Sequence, residues 1–161
     1  MSDQQSELHA ETQSRIGEYL SELFDEASLF LDPQNDHYYA EYGSTVLEVS
    51  VEDYGPEETI VRITAYCVQN VEVEPELTAG LLQLNHELPI GAFELIETDI
   101  FYSHSLFGRG LNRHNLLGAI AAVATISDDY DDRIVETYGG STALELIRHT
   151  GGRKQRQSRH N

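Results

Sequence analysis

Asp128, Asp129, Asp131 and Asp132 form the densest set of potential ligands in the chain. Hard cations take oxygen donors, so a metal centre is the chemistry such a run could do. It lacks the Asp-x-Asp-x-Asp-Gly spacing and the closing glutamate of a calcium loop. On a helix only residues three or four apart share a face, here Asp128 with Asp131 or Asp132, and Asp129 with Asp132. The run therefore reads as a solvated helix face interrupted by Tyr130, and neither metal nor other cofactor is expected. Histidines at 9, 37, 86, 104 and 114 are scattered, with no His-x-x-x-His pair and no cysteine partner, which argues against zinc. His104 has Asp99, Tyr102 and Ser103 nearby, residue types of acid–base chemistry, but nearness in sequence does not make a triad. No Gly-x-Ser-x-Gly is present. Cys67, the only cysteine, shares strand parity with Val61 and Ile63 and reads as a small core residue. No catalytic residue is assigned, and the chain is not expected to be an enzyme.

One basic island breaks the acidic body: Gly108-Arg109-Gly110, followed by Asn112, Arg113 and His114. Arg109 and Arg113 flank an expected helix start, where outward N–H groups favour anions. A small anion could dock there, which makes a small-anion-sensing regulatory domain the alternative reading. The plainer account is a glycine turn with an Asn cap whose arginines neutralise local acids. The Gly-x-Gly does not signal a nucleotide, because no Lys-Ser/Thr follows and no βαβ unit contains it.

The 161 residues fit one domain able to bury about two-thirds of its unfolded surface. Ten cations face 28 acids, for a net charge of −18. Four of the ten, Arg153, Lys154, Arg156 and Arg159, fall after residue 150, so residues 1–150 set six cations against 28 acids, or −22. Such a body repels phosphate backbones and anionic lipid, making nucleic acid and membrane improbable partners. It favours cationic peptides or basic protein surfaces, although charge of this size also simply keeps proteins soluble. No basic, apolar leader opens the sequence, and the longest apolar run, Leu116 to Ile126, is too short to span a bilayer. With one cysteine, no intrachain disulfide can form, and a cytoplasmic location is the default expectation.

These residues must be positioned by a short list of elements. Ile16, Tyr19, Leu20, Leu23, Phe24, Ala27, Phe30 and Leu31 recur at helical spacing, predicting a helix over 6–31 closed by Asp32-Pro33. His37–Tyr42 is a short strand. Leu47, Val49 and Val51 alternate with Glu48, Ser50 and Glu52 in a second. In a third, Val61, Ile63, Ala65 and Cys67 face one side and Ile60, Arg62, Thr64, Tyr66 and Val68 the other. Pro75 opens a helix through Leu77, Leu81, Leu84 and Leu88. Strands follow at Ala92–Glu97 and Ile100–Phe107. Asn112 caps a long helix broken at Gly139-Gly140, and Thr142 with Glu145 opens a short last helix, Ala143 to Arg148. From Gly151 on there is no apolar residue, and a disordered basic tail over 151–161 is expected, dispensable for the fold. The sum is a single α+β domain over 1–150: one antiparallel sheet of about five strands, helices on one face, in the order α-β-β-β-α-β-β-α-α.

That order, together with the stretch Leu81-Leu82-Gln83-Leu84-Asn85-His86-Glu87-Leu88-Pro89-Ile90-Gly91-Ala92-Phe93-Glu94 and the long helix through Asp128 to Tyr138-Gly139-Gly140, resembles the YbjN family and its relatives, the type III secretion chaperones of CesT type. The resemblance spans roughly residues 10–148 and carries no catalytic motif. In its chaperone branch it implies homodimers that bind an extended client segment along the sheet. In its YbjN branch it implies regulatory or stress-related roles. The basic tail and the extra last helix depart from dedicated secretion chaperones, so secretion itself is not implied.

The third strand's second side is more apolar than a solvent face needs to be. The expected partner-binding or dimer face is therefore Ile60, Arg62, Tyr66 and Val68, joined by Tyr102, His104 and Leu106 from the later hairpin. Tyr38, Tyr39, Tyr42 and Tyr54 cluster in the same strands; tyrosine suits recognition and half-buried sheet positions equally. The predicted function is a non-enzymatic protein- or peptide-binding module, chaperone-like or regulatory, acting as a homodimer.

Overall fold

A computed structural model describes residues 3–43 and 45–143. The expected helix Ala143 to Arg148 and the basic tail lie outside the described residues, apart from Ala143 itself. The order of elements is α1 (Asp3–Leu23), β1 (Leu29–Asp32), β2 (His37–Tyr42), β3 (Thr45–Asp53), β4 (Thr59–Gln69), α2 (Pro75–Glu87), β5 (Ala92–Ile96), β6 (Asp99–Phe107), α3 (Arg113–Tyr138) and β7 (Ser141–Thr142). All five expected strands are present in one antiparallel sheet of order β1-β2-β3-β4-β6-β5, with β7 pairing β4.

The first helix ends eight residues earlier than its apolar spacing suggests. Its last turn has no basic residue, and Glu22, Asp25 and Glu26 crowd the end where the helix dipole already favours cations. Leu29–Asp32 instead pairs with His37–Ala40. Asp32-Pro33, read from the sequence as a helix stop, opens the hairpin: Asp32 Oδ1 accepts from Gln34 N at 2.9 Å, and Asp36 N donates to Asp32 O at 2.8 Å. Asp36 takes the left-handed φ of 59° that short Asx residues tolerate.

The central strands are long because their sequences are rich in β-branched residues, Thr-Val-Leu-Glu-Val-Ser-Val in β3 and Thr-Ile-Val-Arg-Ile-Thr in β4. α3 starts where Asn112 accepts from Asn115 N at 2.8 Å and stops at Gly139. Gly140, with φ 87°, passes so close to the Gln69 carbonyl that a Cβ would collide with backbone, which is how β7 reaches the edge of β4.

The core lies between one sheet face and the helices. Ile16 and Leu20 of α1 and Leu116, Ile120, Val123 and Ala124 of α3 are buried against Leu47, Val49, Val61, Ile63, Ala65 and Cys67. Each large aliphatic so buried contributes about 1.5–3 kcal/mol. α2 closes the β5 edge: the Asn85 side chain donates to Phe93 O at 3.1 Å and accepts from Phe93 N at 2.6 Å, in place of a further strand.

Candidate functional site

Pairing registers decide which side chains share the other face. β4 pairs β6 as Ile60↔Phe107, Arg62↔Ser105, Thr64↔Ser103 and Tyr66↔Phe101. On the β3 side, Glu52, Ser50, Glu48 and Val46 stand opposite the same four β4 residues. Further out, Tyr39 meets Glu48 and Phe30, Glu41 meets Val46, and Glu94 meets Phe101. Directly paired residues of antiparallel strands point the same way, so all of these form one face, opposite the helix layer. It holds Phe30, Ile96 and Phe107 exposed at 58%, 56% and 61%, with Ile60, Tyr66, Phe101, Val46 and Tyr39 half-buried.

Three of the expected face residues are there: Ile60, Arg62 and Tyr66. Four are not. Val68 is fully buried because a bulge between Tyr66 and Val68 shifts the strand's alternation by one. Tyr102, His104 and Leu106 pair with Ala65, Ile63 and Val61, the helix-facing residues. Tyr102 is buried, its ring 4.7 Å from Phe93 and its hydroxyl donating to Ile90 O. Leu106 packs against the core, and burial pulls the His104 pKa below its usual value. Phe101, Ser103, Ser105 and Phe107 take their places on the open face. The signal was present: among the even-numbered residues of β6, Ile100, Tyr102 and Leu106 are large and apolar, whereas two of their odd-numbered neighbours are serines.

A polar network runs through the middle of the face. Glu48 accepts from the Tyr66 hydroxyl and pairs with His37 Nδ1 at 2.7 Å. Burial first, then the Glu48 carboxylate, raises the Tyr66 pKa well above the usual range, so its hydroxyl stays a donor. The Tyr66 ring stands edge-on to Phe101 at 5.2 Å. Arg62 Nε lies 3.4 Å from Glu52 Oε1; it is buried without a hydrogen bond, so this is an ion pair of poor alignment and small value.

The other candidates resolve differently. The Arg109 backbone N–H donates to Glu58 Oε1 at 2.8 Å, and its guanidinium lies 3.8 Å from Glu57 Oε2. Arg113 is paired with Glu22. Both arginines are thus engaged by carboxylates, which removes the support for an anion site. Asp131 is fully buried, not solvated as expected; its Oδ1 accepts from Asp132 N at 2.6 Å. Among the described residues no group of three His, Cys, Asp or Glu side chains could hold a metal ion. Cys67 is buried as expected, and its thiol donates to Ser127 O at 3.6 Å; desolvation, opposed by the Ser127 side chain and aided by Asp131, pushes its pKa up to about 12. No helix among the described residues is long and apolar enough to cross a membrane.

Residues 10–146 match the family described as TY-Chap1, the type III secretion (YopN, CesT) and YbjN peptide-binding chaperone 1. The chain belongs to this family. Membership of TY-Chap1 agrees with the resemblance read from the sequence. The TY-Chap1 fold also aligns with a chain in the crystal structure of the ExsC-ExsE complex, at TM-score 0.63 and 13% identity, over 79% of this chain and 96% of that one. No curated protein matches this member of TY-Chap1.

Proposed function

We propose that this chain is a non-enzymatic chaperone-like protein that works in the cytoplasm as a homodimer and holds an extended client segment on the open face of its sheet. The observation that carries this is the row Phe101, Tyr66 and Val46, flanked by Ile60, Phe107, Tyr39 and Phe30, on a sheet face that no described helix covers. A soluble domain rarely leaves so many large apolar side chains together without a partner. At the β1 end, a groove of about 210 Å³ lined by Ala27, Ser28, Phe30, Tyr39, Glu41 and Val46 carries the face to the sheet edge. Asn85 occupies the β5 edge, whereas no described element pairs with the outer side of β1, so a client strand could add there. Family membership supports a peptide client, and the similar chain in the ExsC-ExsE structure is itself part of a complex.

Selection of peptides from a displayed random library tests the reading. Enriched peptides should bind the wild-type chain and lose binding to Phe101→Asp, which alters the open face alone. Binding that is unchanged in Phe101→Asp would overturn the placement. Sizing chromatography at two concentrations tests the homodimer, and a monomer at both would refute it.

A further inference from the structure

Across five strands the open face carries one ordered row: Glu94 on β5, Phe101 on β6, Tyr66 on β4, Val46 on β3 and Glu41 on β2, each paired with the next. Three apolar side chains stand in the middle with a carboxylate at each end. Among the described residues neither Glu94 nor Glu41 is in an ion pair. The other face carboxylates with cationic neighbours are engaged, Glu48 by His37 and Glu52 by Arg62. Glu94 accepts one hydrogen bond, from the Ser103 hydroxyl, which fixes one of its oxygens and leaves the other.

We propose that the client taken by this face is an extended segment with two cations six residues apart and apolar side chains at the two intervening positions on the same side, laid across the strands from Glu94 to Glu41. This rests on the reading of the open face as the client site. The spacing follows from geometry. Four interstrand steps of about 4.8 Å separate the two carboxylates by roughly 19 Å, and six residues of extended chain span about 20 Å. Side chains at i, i+2, i+4 and i+6 point the same way, so the cations reach the two acids together. The apolar pair then falls at about 7 and 13 Å along the row, in the gaps between Phe101 and Tyr66 and between Tyr66 and Val46. A second copy of this chain fits less well, because its 28 acids against ten cations would meet the row's carboxylates with like charge.

Fluorescence anisotropy on the full chain tests this with three labelled peptides: Gly-Lys-Ser-Phe-Ser-Leu-Ser-Lys-Gly, the same with both Lys changed to Glu, and the same with Phe and Leu changed to Ser. The lysine peptide should bind wild type at least about tenfold more tightly than either of the others. It should lose about tenfold against the Glu41→Lys/Glu94→Lys variant, which the glutamate peptide should now prefer. That exchange of preference also shows the variant is folded. Equal binding of lysine and glutamate peptides to wild type would overturn the charge pattern, as would a lysine peptide indifferent to the double variant. If library-selected peptides still depend on Phe101 while these charges have no effect, only this inference fails. If no peptide of either kind binds, the client reading fails with it.

Discussion

Phe101 and Tyr102 are adjacent on β6, and the register gives them opposite fates, so truncating each in turn tests the assignment of the two sheet faces. Tyr102 is fully buried, packs its ring at a tilt against Phe93 and donates its hydroxyl to Ile90 O. Tyr102→Ala leaves a ring-sized cavity beside Phe93 and an unpaired carbonyl, for a cost of about 4 kcal/mol. Phe101 is half-buried and loses chiefly its edge-on contact with Tyr66, about 1 kcal/mol. The difference of about 3 kcal/mol corresponds to roughly 6–12 °C in melting temperature for a domain of this size. Urea titrations at one pH, followed by far-UV circular dichroism, would give both free energies. Equal losses, or a larger loss for Phe101→Ala, would refute the pairing of β6 with β4 and with it the composition of the open face.

Three further outcomes are expected. Cys67 is a thiol whose pKa is raised from 9.0 to about 12, so its contribution to stability is complete below pH 9 and is lost as pH rises toward 12; wild type should lose more stability than Cys67→Ala between pH 8.5 and 10.5 in urea titrations, and parallel curves would contradict this. In native buffer the same thiol should resist a disulfide reagent and react only as the chain unfolds, whereas fast stoichiometric labelling would place it at the surface. Gly140→Ala should cost about 2 kcal/mol or more, because a left-handed residue would also press on the Gln69 carbonyl; Gly17→Ala should cost less, since its obstacle is the tip of the Tyr38 side chain, which can swing aside. Comparable melting temperatures for the two glycine variants would contradict that ranking.

The open face was legible where alternation is local and illegible where it depends on pairing. Val61, Ile63, Ala65 and Cys67 announced the covered side of β4 by period two alone, and Ile60, Arg62 and Tyr66 followed on the other side. The partners of those residues on β6 required a register that α2 and β5 interrupt in sequence, and no short turn fixes it. Pairing even-numbered residues of both strands therefore selected Tyr102, His104 and Leu106, where the sheet pairs even with odd. Val68 was lost to the bulge, which carries no glycine to mark it. β1 was hidden because Phe30 and Leu31 continue the helical spacing that runs through Ala27 while serving a strand. Asp131 looked like one of four solvated acids, and only the packing of α3 on β4 shows that it points inward.

In the proposed complex an extended polypeptide lies on the uncovered side of this sheet. Amide spectra of the full chain, recorded with a library-selected peptide carrying a nitroxide label, test it most directly. Paramagnetic broadening should fall on Val46, Glu48, Thr64, Tyr66 and Phe101 and spare Ile16, Leu20, Leu116 and Ile120. Broadening centred on α1 and α3, or on the cleft between α2 and α3 lined by Leu81, Leu84, Tyr130 and Ile134, would contradict the account.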